Sequence, residues 1–458
     1  MKHYKFEQVL FNDGWRSNVC ISVDESGRIT ALGKEQPNIS YESFHHYLIP
    51  GFQNAHSHSF QYAMAGLAEI HPKSSQADDF WSWRNAMYAL ALQISPEDIY
   101  SIAKMLYMEM LVHGYTNVAE FHYVHHDKNG NPFGNLSEMG ERLIRAAKDV
   151  GINITLVPIY YEKGGFGKPP VDGQKRFISP SIDDYLKLYS ASKTSCENYI
   201  GANVAIGIHS MRGVDPENIK NVACDFDKNV PFHIHISEQL REIEDSINYL
   251  GKRPVEWFAE NIQMDDRFHL VHATHLTREE TLSIANSGAN VVLCPSTEGN
   301  LGDGLFPVKT YLENYGNWSI GTDSHIGLNP YEELRILDYG QRLTTHKRDT
   351  FVSQGNNDSG FFAFDAAMKA GRKAMNNFEM EYFKVGEELN AVIVDSKHPL
   401  VASSSMEKVC STLIYSGDVR FNKGTFVRGE MVIDDGVHRD QESIGDSFVS
   451  TLKKLAVR

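Results

Sequence analysis

Two histidines separated by one residue, His56 and His58, form the first motif in this sequence that could bind a metal ion. Residues two apart in an extended segment point to the same side, so both imidazoles can face one ion. The motif is short and the chain contains 20 histidines. For an HxH pair alone, a packed or surface pair is therefore the favoured interpretation.

The segment HIHISE adds two more histidines, His233 and His235, and a carboxylate at Glu238. The strand-like run that contains them is apolar enough to be buried. Buried histidines need polar partners, and a metal ion is one such partner. Glu238 lies about one turn beyond the run, where it could act on a bound substrate.

His272 in LVHATHL and Asp323 in SIGTDSH each follow a further apolar run. A carboxylate that emerges from a buried strand is costly unless it binds a metal or takes a proton. The ordered set, HxH, histidine, histidine and aspartate, each after a different strand, predicts an open catalytic metal site. Nitrogen and oxygen donors of this kind suit zinc, iron or manganese.

The elements that carry these residues alternate between apolar strands and helices from about residue 51 to residue 385. The strand candidates are TNVAEFHY, NITLVPIYY, NVAIGIHS, PFHIHIS, FHLVHAT, NVVLCPS and WSIGTD. A helix is predicted from Pro96, with Ser95 as its N-cap and Gly114 at its end. Repeated units of this kind indicate a barrel or a doubly wound sheet, but no GxGxxG turn supports the latter. Polar residues at the ends of the strands favour a (β/α)₈ TIM-type barrel.

The two ends of the chain read as short strands and turns. Residues 21–32 predict a hairpin, and NAVIVDS, STLIYSG and GEMVIDDG predict strands after residue 385. We therefore expect three segments: residues 1–50 and 386–458 as two parts of one small β-sandwich domain, and residues 51–385 as the barrel.

Charge and composition narrow the classes of partner. The net charge of -15 disfavours nucleic acid as a ligand, although local arginines could still hold a small anion. The five cysteines lack CxxC spacing, which predicts a reducing compartment. The N-terminus has no apolar signal region, and no run approaches the roughly 20 apolar residues that span a bilayer. We expect a cytoplasmic protein with no membrane partner.

Several longer motifs resemble the amidohydrolase superfamily, and within it the hydrolases that release ammonia from N-formimino-L-glutamate. The likeness covers nearly the whole chain. It rests on PGFQNAHSHSFQYAMAGLAE, FWSWRNAMY, GYTNVAEFHYVHHD, HIHISEQ, LVHATHL, CPSTEGNLGDGLFP and GTDSHIGLNPYEELRILDYGQRL.

The resemblance implies a role for each matching residue. His56, His58, His235 and Asp323 would bind one Zn²⁺, and Fe²⁺ or Mn²⁺ would fit the same donors. His235 is preferred to His233 because the family motif is HxxE. The implied catalytic residues are Glu238, His272 and Asp323, and the implied substrate-binding residues are Gln61, Arg84, Tyr123, His209 and Arg212.

The implied reaction is hydrolysis of a small dicarboxylate amidine by zinc-activated water, as a step of histidine degradation. Arg84 and Arg212 could each make forked hydrogen bonds to a substrate carboxylate. Barrel enzymes of this type often dimerise, so a homodimer is expected. Without the resemblance, the favoured interpretation of Arg84 is a packed surface helix, and Tyr123 and His209 could be core residues.

The sequence departs from the family pattern at Tyr62, where a basic residue is expected, and at Gly299, where TEAN is commoner. A second metal site at His122, His125 and His126 is a further, less favoured interpretation, and Cys294 is expected to be a packed thiol. Competing functions are another deaminase or amidine hydrolase of the superfamily, acting on a guanidino acid or a purine, and a metal-free binding protein.

Overall fold

The computed structural model describes residues 1–67, 80–352 and 358–456. The first four strands belong to a sheet at the ends of the chain: β1 (Lys2–Phe11), β2 (Gly14–Val23), β3 (Ile29–Gly33) and β4 (Glu42–Pro50). β2 and β3 pair antiparallel, with Ile21 opposite Leu32. The predicted hairpin is thus confirmed.

A second sheet consists of short parallel strands. They are β5 (Phe52–Ser57), β6 (Tyr115–His122), β7 (Asn153–Tyr160), β8 (Ala202–Val204), β9 (Ile206–Ser210), β10 (Phe232–Ile236), β11 (Phe268–His272), β12 (Asn290–Leu293) and β13 (Asn317–Ile320). Eight of them lie side by side from β5 to β13, and β8 pairs with β7 outside this path. Almost every residue of these strands is buried, as a parallel sheet covered by helices requires.

The last barrel strand returns to the first and closes the sheet. Ser57 bridges to Asp323, the backbone N–H of His58 donates to the carbonyl of Asp323 at 3.2 Å, and the N–H groups of Thr322 and Asp323 both donate to the carbonyl of His56. This seam between β5 and β13 completes the expected TIM-type barrel.

Four strands from the C-terminal part of the chain extend the first sheet: β14 (Ala391–Val394), β15 (Asn422–Val427), β16 (Glu430–Asp434) and β17 (Val437–His438). β14 pairs with β4, so strands from both ends of the chain form one sheet of mixed direction, in the order β17-β16-β15-β14-β4-β1-β2-β3. Residues 50 and 385 remain our predicted boundaries for the small domain.

Helices alternate with the barrel strands and continue beyond them. They are α1 (Phe80–Ala91), α2 (Pro96–Val112), α3 (Glu138–Val150), α4 (Ile182–Cys196), α5 (Pro216–Lys220), α6 (Leu240–Leu250), α7 (Pro254–Asn261), α8 (Arg278–Ser287), α9 (Pro295–Leu301), α10 (Val308–Glu313), α11 (Pro330–Thr345), α12 (Ser359–Ala374), α13 (Pro399–Ala402), α14 (Val409–Ser416) and α15 (Gln441–Leu455). Ser95 caps α2 as predicted, in a reciprocal capping box with Asp98. Among the described residues, no helix is both long and apolar enough to cross a bilayer.

One predicted strand is wrong. STLIYSG lies mostly in helix α14, whose buried residues Val409, Cys410, Leu413 and Ile414 form one helical face. That face packs against α11 and α12. The apolar and β-branched residues that favoured a strand instead follow the 3.6-residue period of a helix.

Candidate active site

Three histidine side chains converge at the carboxyl ends of the barrel strands. The Nε2 atom of His56 lies 3.1 Å from Nε2 of His58 and 3.0 Å from Nε2 of His235. All three side chains are buried. His56 and His58 reach this point from β5 and its end, and His235 from β10, so the predicted three-histidine set is assembled from distant parts of the chain.

Two of these histidines use Nδ1 for a hydrogen bond to a backbone carbonyl, so the lone pair of each Nε2 atom faces the other histidines. Nδ1 of His58 donates to the carbonyl of Phe121 at 2.8 Å, and Nδ1 of His235 donates to the carbonyl of His209 at 2.9 Å. Burial lowers the pKa of His58 to about 3 and the pKa of His235 well below 6.5, so both rings are neutral. Their Nε2 atoms are then acceptors, and His56 Nε2 can offer them at most one proton. A divalent cation fits this surplus of nitrogen lone pairs.

Asp323, on the other side of the seam between β5 and β13, adds a carboxylate to the three histidines. Its Oδ1 lies 3.3 Å from Nε2 of His58 and 3.6 Å from Nε2 of His56. Burial raises the pKa of Asp323 to about 7, although the positive charge of His272 opposes the shift. This carboxylate can therefore serve as a ligand and as a proton acceptor near neutral pH.

The loops that leave the barrel strands contain backbone in the left-handed region. Ser237, His272, Ala273, Asp323 and His325 have φ values of 55°, 68°, 50°, 47° and 63°. Non-glycine residues rarely adopt this conformation, and such strain concentrates at functional sites. Backbone hydrogen bonds hold it in place: Ala273 N–H donates to the carbonyl of Ile236, and His275 N–H to that of Ser237.

His272 lies among three carboxylates beside the histidine cluster. Its Nδ1 is 3.3 Å from Glu298 Oε1, and its Nε2 is 3.7 Å from Glu238 Oε1 and 3.8 Å from Asp323 Oδ2. Burial lowers the pKa of His272, but the charges of Glu238, Glu298 and Asp323 outweigh burial and raise it to about 10. His272 is thus a charged hydrogen-bond donor, with Glu238 and Asp323 at the same ring nitrogen.

Glu120 fixes the segment that carries His56 and His58. One oxygen accepts from Ser57 Oγ at 2.7 Å, and the other accepts from the backbone N–H of Ser59 at 2.7 Å. Burial raises the pKa of Glu120 to about 7. The sequence analysis missed this residue, although a carboxylate within the apolar run NVAEFHY is the same signal that marked Asp323.

One pocket contains all five predicted substrate-binding residues: Gln61, Arg84, Tyr123, His209 and Arg212. His58, His235, Glu238, His272 and Asp323 line the same pocket. The structure therefore brings the metal-ligand, catalytic and substrate-binding predictions to one place. A larger polar cavity at the other end of the barrel, lined by Asn117, Asn153 and Asn377 among others, contains none of these residues.

The two arginines act on the same part of this pocket. The positive charges of Arg212 and Arg84 both help burial to lower the pKa of His209. The His209 ring stacks on Tyr161 with centroids 4.1 Å apart, and Gln61 Nε2 donates to the hydroxyl of Tyr123 at 3.0 Å. The pocket thus pairs cationic groups and hydrogen-bonding groups with the histidine and carboxylate cluster.

Arg212 has a partner that the sequence analysis did not identify. Its Nη1 is 3.2 Å from Oε2 of Glu242 in helix α6, and its Nη2 is 3.6 Å from Oε2 of Glu238. Glu242 Oε2 also accepts the backbone N–H of Glu238 at 3.0 Å. A glutamate inside an amphipathic helix gives no sequence signal of this contact.

The two departures from the family pattern lie outside the pocket lining. Tyr62 stacks on Phe448 of α15, with ring centroids 5.5 Å apart. Gly299 is exposed on α9, and a Cβ added there would meet nothing within 4 Å. Neither residue is among those that line the pocket.

The less favoured metal site and Cys294 also have structural explanations. Nε2 of His125 and Nε2 of His126 hydrogen-bond to the carbonyls of Ile159 and Ile178. Burial, with the nearby charge of Asp323, raises the pKa of the Cys294 thiol well above 9. A protonated thiol is a poor nucleophile, as expected for a packed side chain.

Comparison with known proteins agrees with this arrangement. Residues 47–432 match the amidohydrolase family. A formimidoylglutamate deiminase from Pseudomonas aeruginosa is 38% identical over 450 residues, which cover 98% of this chain and 98% of that protein.

Solved structures give the same result for the fold. An amidohydrolase from Brucella melitensis superimposes with a TM-score of 0.93 at 36% identity, over 100% of both chains. An adenosine deaminase from Xanthomonas campestris, at 19% identity, has the same fold with a TM-score of 0.80, over 100% of this chain and 98% of that one. The converging histidines, the closed barrel and these matches together establish that the chain belongs to the amidohydrolase family.

Proposed function

We propose that this protein hydrolyses N-formimino-L-glutamate to N-formyl-L-glutamate and ammonia. The proposal rests on one observation: the histidine and carboxylate cluster and two arginines line the same pocket. The 38% identity to a formimidoylglutamate deiminase over nearly the whole chain supports the same substrate. The reaction would be a step of histidine degradation.

His56, His58, His235 and Asp323 would hold one zinc ion, for which Fe²⁺ or Mn²⁺ could substitute. When bound, the ion supplies Lewis acidity that activates water at neutral pH. The fit rests on the convergent Nε2 lone pairs of the three histidines and on the adjacent Asp323 carboxylate.

The residues around this site divide the proton transfers between them. Asp323 takes one proton from the attacking water and returns it to the leaving nitrogen, and Glu238 transfers the second water proton to the same nitrogen. His272 donates a hydrogen bond to the attacked centre from its Nε2 atom. The water oxygen ends on the formyl carbon, and both water protons end on the nitrogen, which leaves as ammonia.

Substrate selection would come from the cationic side of the pocket. Arg212 and Arg84 can each bind a carboxylate, so a dianion has two partners there. Gln61, Tyr123 and His209 supply hydrogen-bonding groups around it. An uncharged purine offers neither guanidinium group a substrate carboxylate.

The test is ammonia release by purified, zinc-loaded protein from N-formimino-L-glutamate, with an N-guanidino acid and a panel of purines in parallel. We expect rapid turnover that is selective for N-formimino-L-glutamate. Turnover confined to a guanidino acid or a purine would overturn the substrate. If the protein retains no metal after zinc loading and is inactive on every substrate, a binding protein is favoured instead.

Arg212→Met is the variant that tests carboxylate recognition. We expect a higher KM and a lower kcat/KM by at least tenfold, because a charged hydrogen-bonding partner of the substrate is lost. Arg278→Met, at an exposed position of α8, is the matched control. Unchanged kinetics of Arg212→Met would remove this residue from the substrate site.

A cytoplasmic homodimer remains our prediction for the protein in solution. Size-exclusion chromatography with light scattering distinguishes a dimer from a monomer of 51.7 kDa.

A further inference from the structure

Glu242 is a buried carboxylate to which the reaction above assigns no role. Its side chain is 0% exposed. It lies one helical turn after Glu238, near the start of α6. A buried carboxylate needs a charged or hydrogen-bonded partner, and Arg212 and the Glu238 backbone are the partners of this one.

The two terminal nitrogens of the Arg212 guanidinium group face different glutamates. Nη1 lies 3.2 Å from Glu242, and Nη2 lies 3.6 Å from Glu238 on the pocket side. Both Arg212 and Glu238 line the pocket, but Glu242 does not. Glu242 thus pairs with the Arg212 guanidinium group from outside the pocket lining.

An arginine side chain has several rotatable bonds, so its planar group must be held if it is to bind a carboxylate in one orientation. Without Glu242, the nearest carboxylate to Arg212 would be the one proposed to carry protons in the reaction, Glu238. Arg212 would then turn toward that group and away from the substrate.

We propose that Glu242 is a positioning residue that directs Arg212 at a carboxylate of the substrate and so determines the preference for an acidic substrate. This inference rests on the proposed function and deepens it. It predicts that loss of the Glu242 charge weakens the binding of a ligand only when that ligand carries the carboxylate that Arg212 contacts.

A purely structural role is the alternative, because Glu242 also accepts the N–H of Glu238. Glu242→Gln separates the two roles, since glutamine keeps an oxygen acceptor for that N–H and loses the charge. Glu242→Ala removes both. Glu244→Gln, at an exposed position of the same helix, is the matched control.

The experiment measures binding and turnover on the zinc-loaded enzyme. Calorimetry gives Kd for N-formyl-L-glutamate and for its two mono-amides, and ammonia release gives KM and kcat for N-formimino-L-glutamate. For Glu242→Gln we expect Kd and KM for the dicarboxylates to rise about tenfold, on the order of the loss that misplaced groups cause. The mono-amide that lacks the carboxylate contacted by Arg212 should bind the variant and the wild type equally.

Each outcome decides the inference. A wild type that binds N-formyl-L-glutamate but does not turn over N-formimino-L-glutamate contradicts the proposed function, and the binding data still test Glu242. Equal weakening of all three ligands, or wild-type Kd values in Glu242→Gln with losses only in Glu242→Ala, would overturn the positioning role. Failure of the wild type to bind the dicarboxylate would overturn it as well.

Discussion

At the scale of single residues, the hydrogen-bond partners of the imidazoles determine which nitrogens are free. His58 donates from Nδ1 to a backbone carbonyl, which leaves the Nε2 lone pair for the proposed metal ion. We expect His58→Ala to lose bound metal and at least 99% of the activity, because one nitrogen of the set is removed. Elemental analysis and ammonia release measure both. His45→Ala, at an exposed histidine, is the control, and full activity of His58→Ala without metal would contradict the assignment.

Glu120 accepts hydrogen bonds from the segment that carries His56 and His58. In Glu120→Gln, the amide nitrogen cannot accept a hydrogen bond, so either Ser57 or Ser59 loses its acceptor. We expect metal affinity to fall by about 10- to 100-fold, as for other partners that orient ligands. Competition with a zinc chelator measures the affinity. Wild-type affinity in the variant would show that the ligand segment holds its shape without this carboxylate.

Residue identity and strand position were enough to mark His56, His58 and Asp323 as candidate metal ligands, because each ends or follows an apolar run. The choice of His235 over His233 needed the HxxE motif of the family. Glu242 and Glu298 could not be found in this way. Both lie in helices, where a glutamate is ordinary, and only the tertiary structure brings them to Arg212 and His272.

At the scale of elements, helix α9 carries one substitution that the structure makes easy to test. Gly299 lies within this helix, is exposed, and has no neighbour within 4 Å of an added Cβ. We expect Gly299→Ala to raise the free energy of unfolding by about 0.5–1 kcal/mol, because alanine loses less backbone entropy in a helix. Denaturant unfolding measures this, with unchanged kcat as the second readout. A destabilised variant would mean that α9 needs glycine there.

Most of the barrel strands were predictable because each is a short, mostly apolar run between segments of helical pattern. The C-terminal segment was harder. STLIYSG has the composition of a strand, but it is a helix because α11 and α12 offer it an apolar surface. Helix α15 was not predicted; it buries Ile444, Leu452 and Leu455. Its Lys454 pairs with Asp98 of the N-cap box of α2. Such contacts depend on tertiary structure.

At the scale of the whole molecule, the number of buried imidazoles determines the response to pH. Burial lowers the pKa of His122 to about 3 and those of His125 and His269 well below 6.5. The unfolded chain therefore binds more protons at these residues below pH 6.5, and stability falls as pH falls. Glu120 and Glu333, with pKa values raised by burial to about 7 and 8, act in the opposite direction.

The fully buried imidazoles with a lowered pKa outnumber the buried carboxyl groups with a raised pKa, so the unfolded state binds more protons near pH 5. We expect the metal-free protein to lose stability as the pH falls from 6.5 to 5. Urea unfolding of chelator-treated protein at several pH values measures the slope. A stability that is flat or rises toward pH 5 would contradict the neutral state of these histidines.

The seam between β5 and β13 has a consequence for the order of events during synthesis. The two strands that close the barrel, β5 and β13, are the first and the last of the barrel strands to be synthesised, and His56, His58 and Asp323 lie at or just beyond their carboxyl ends. A nascent chain that has emerged as far as residue 300 holds all three histidines but not the carboxylate. If the proposed ligands bind one ion, such an intermediate would hold it without a carboxylate, so the complete site forms only after β13 and Asp323 have been translated.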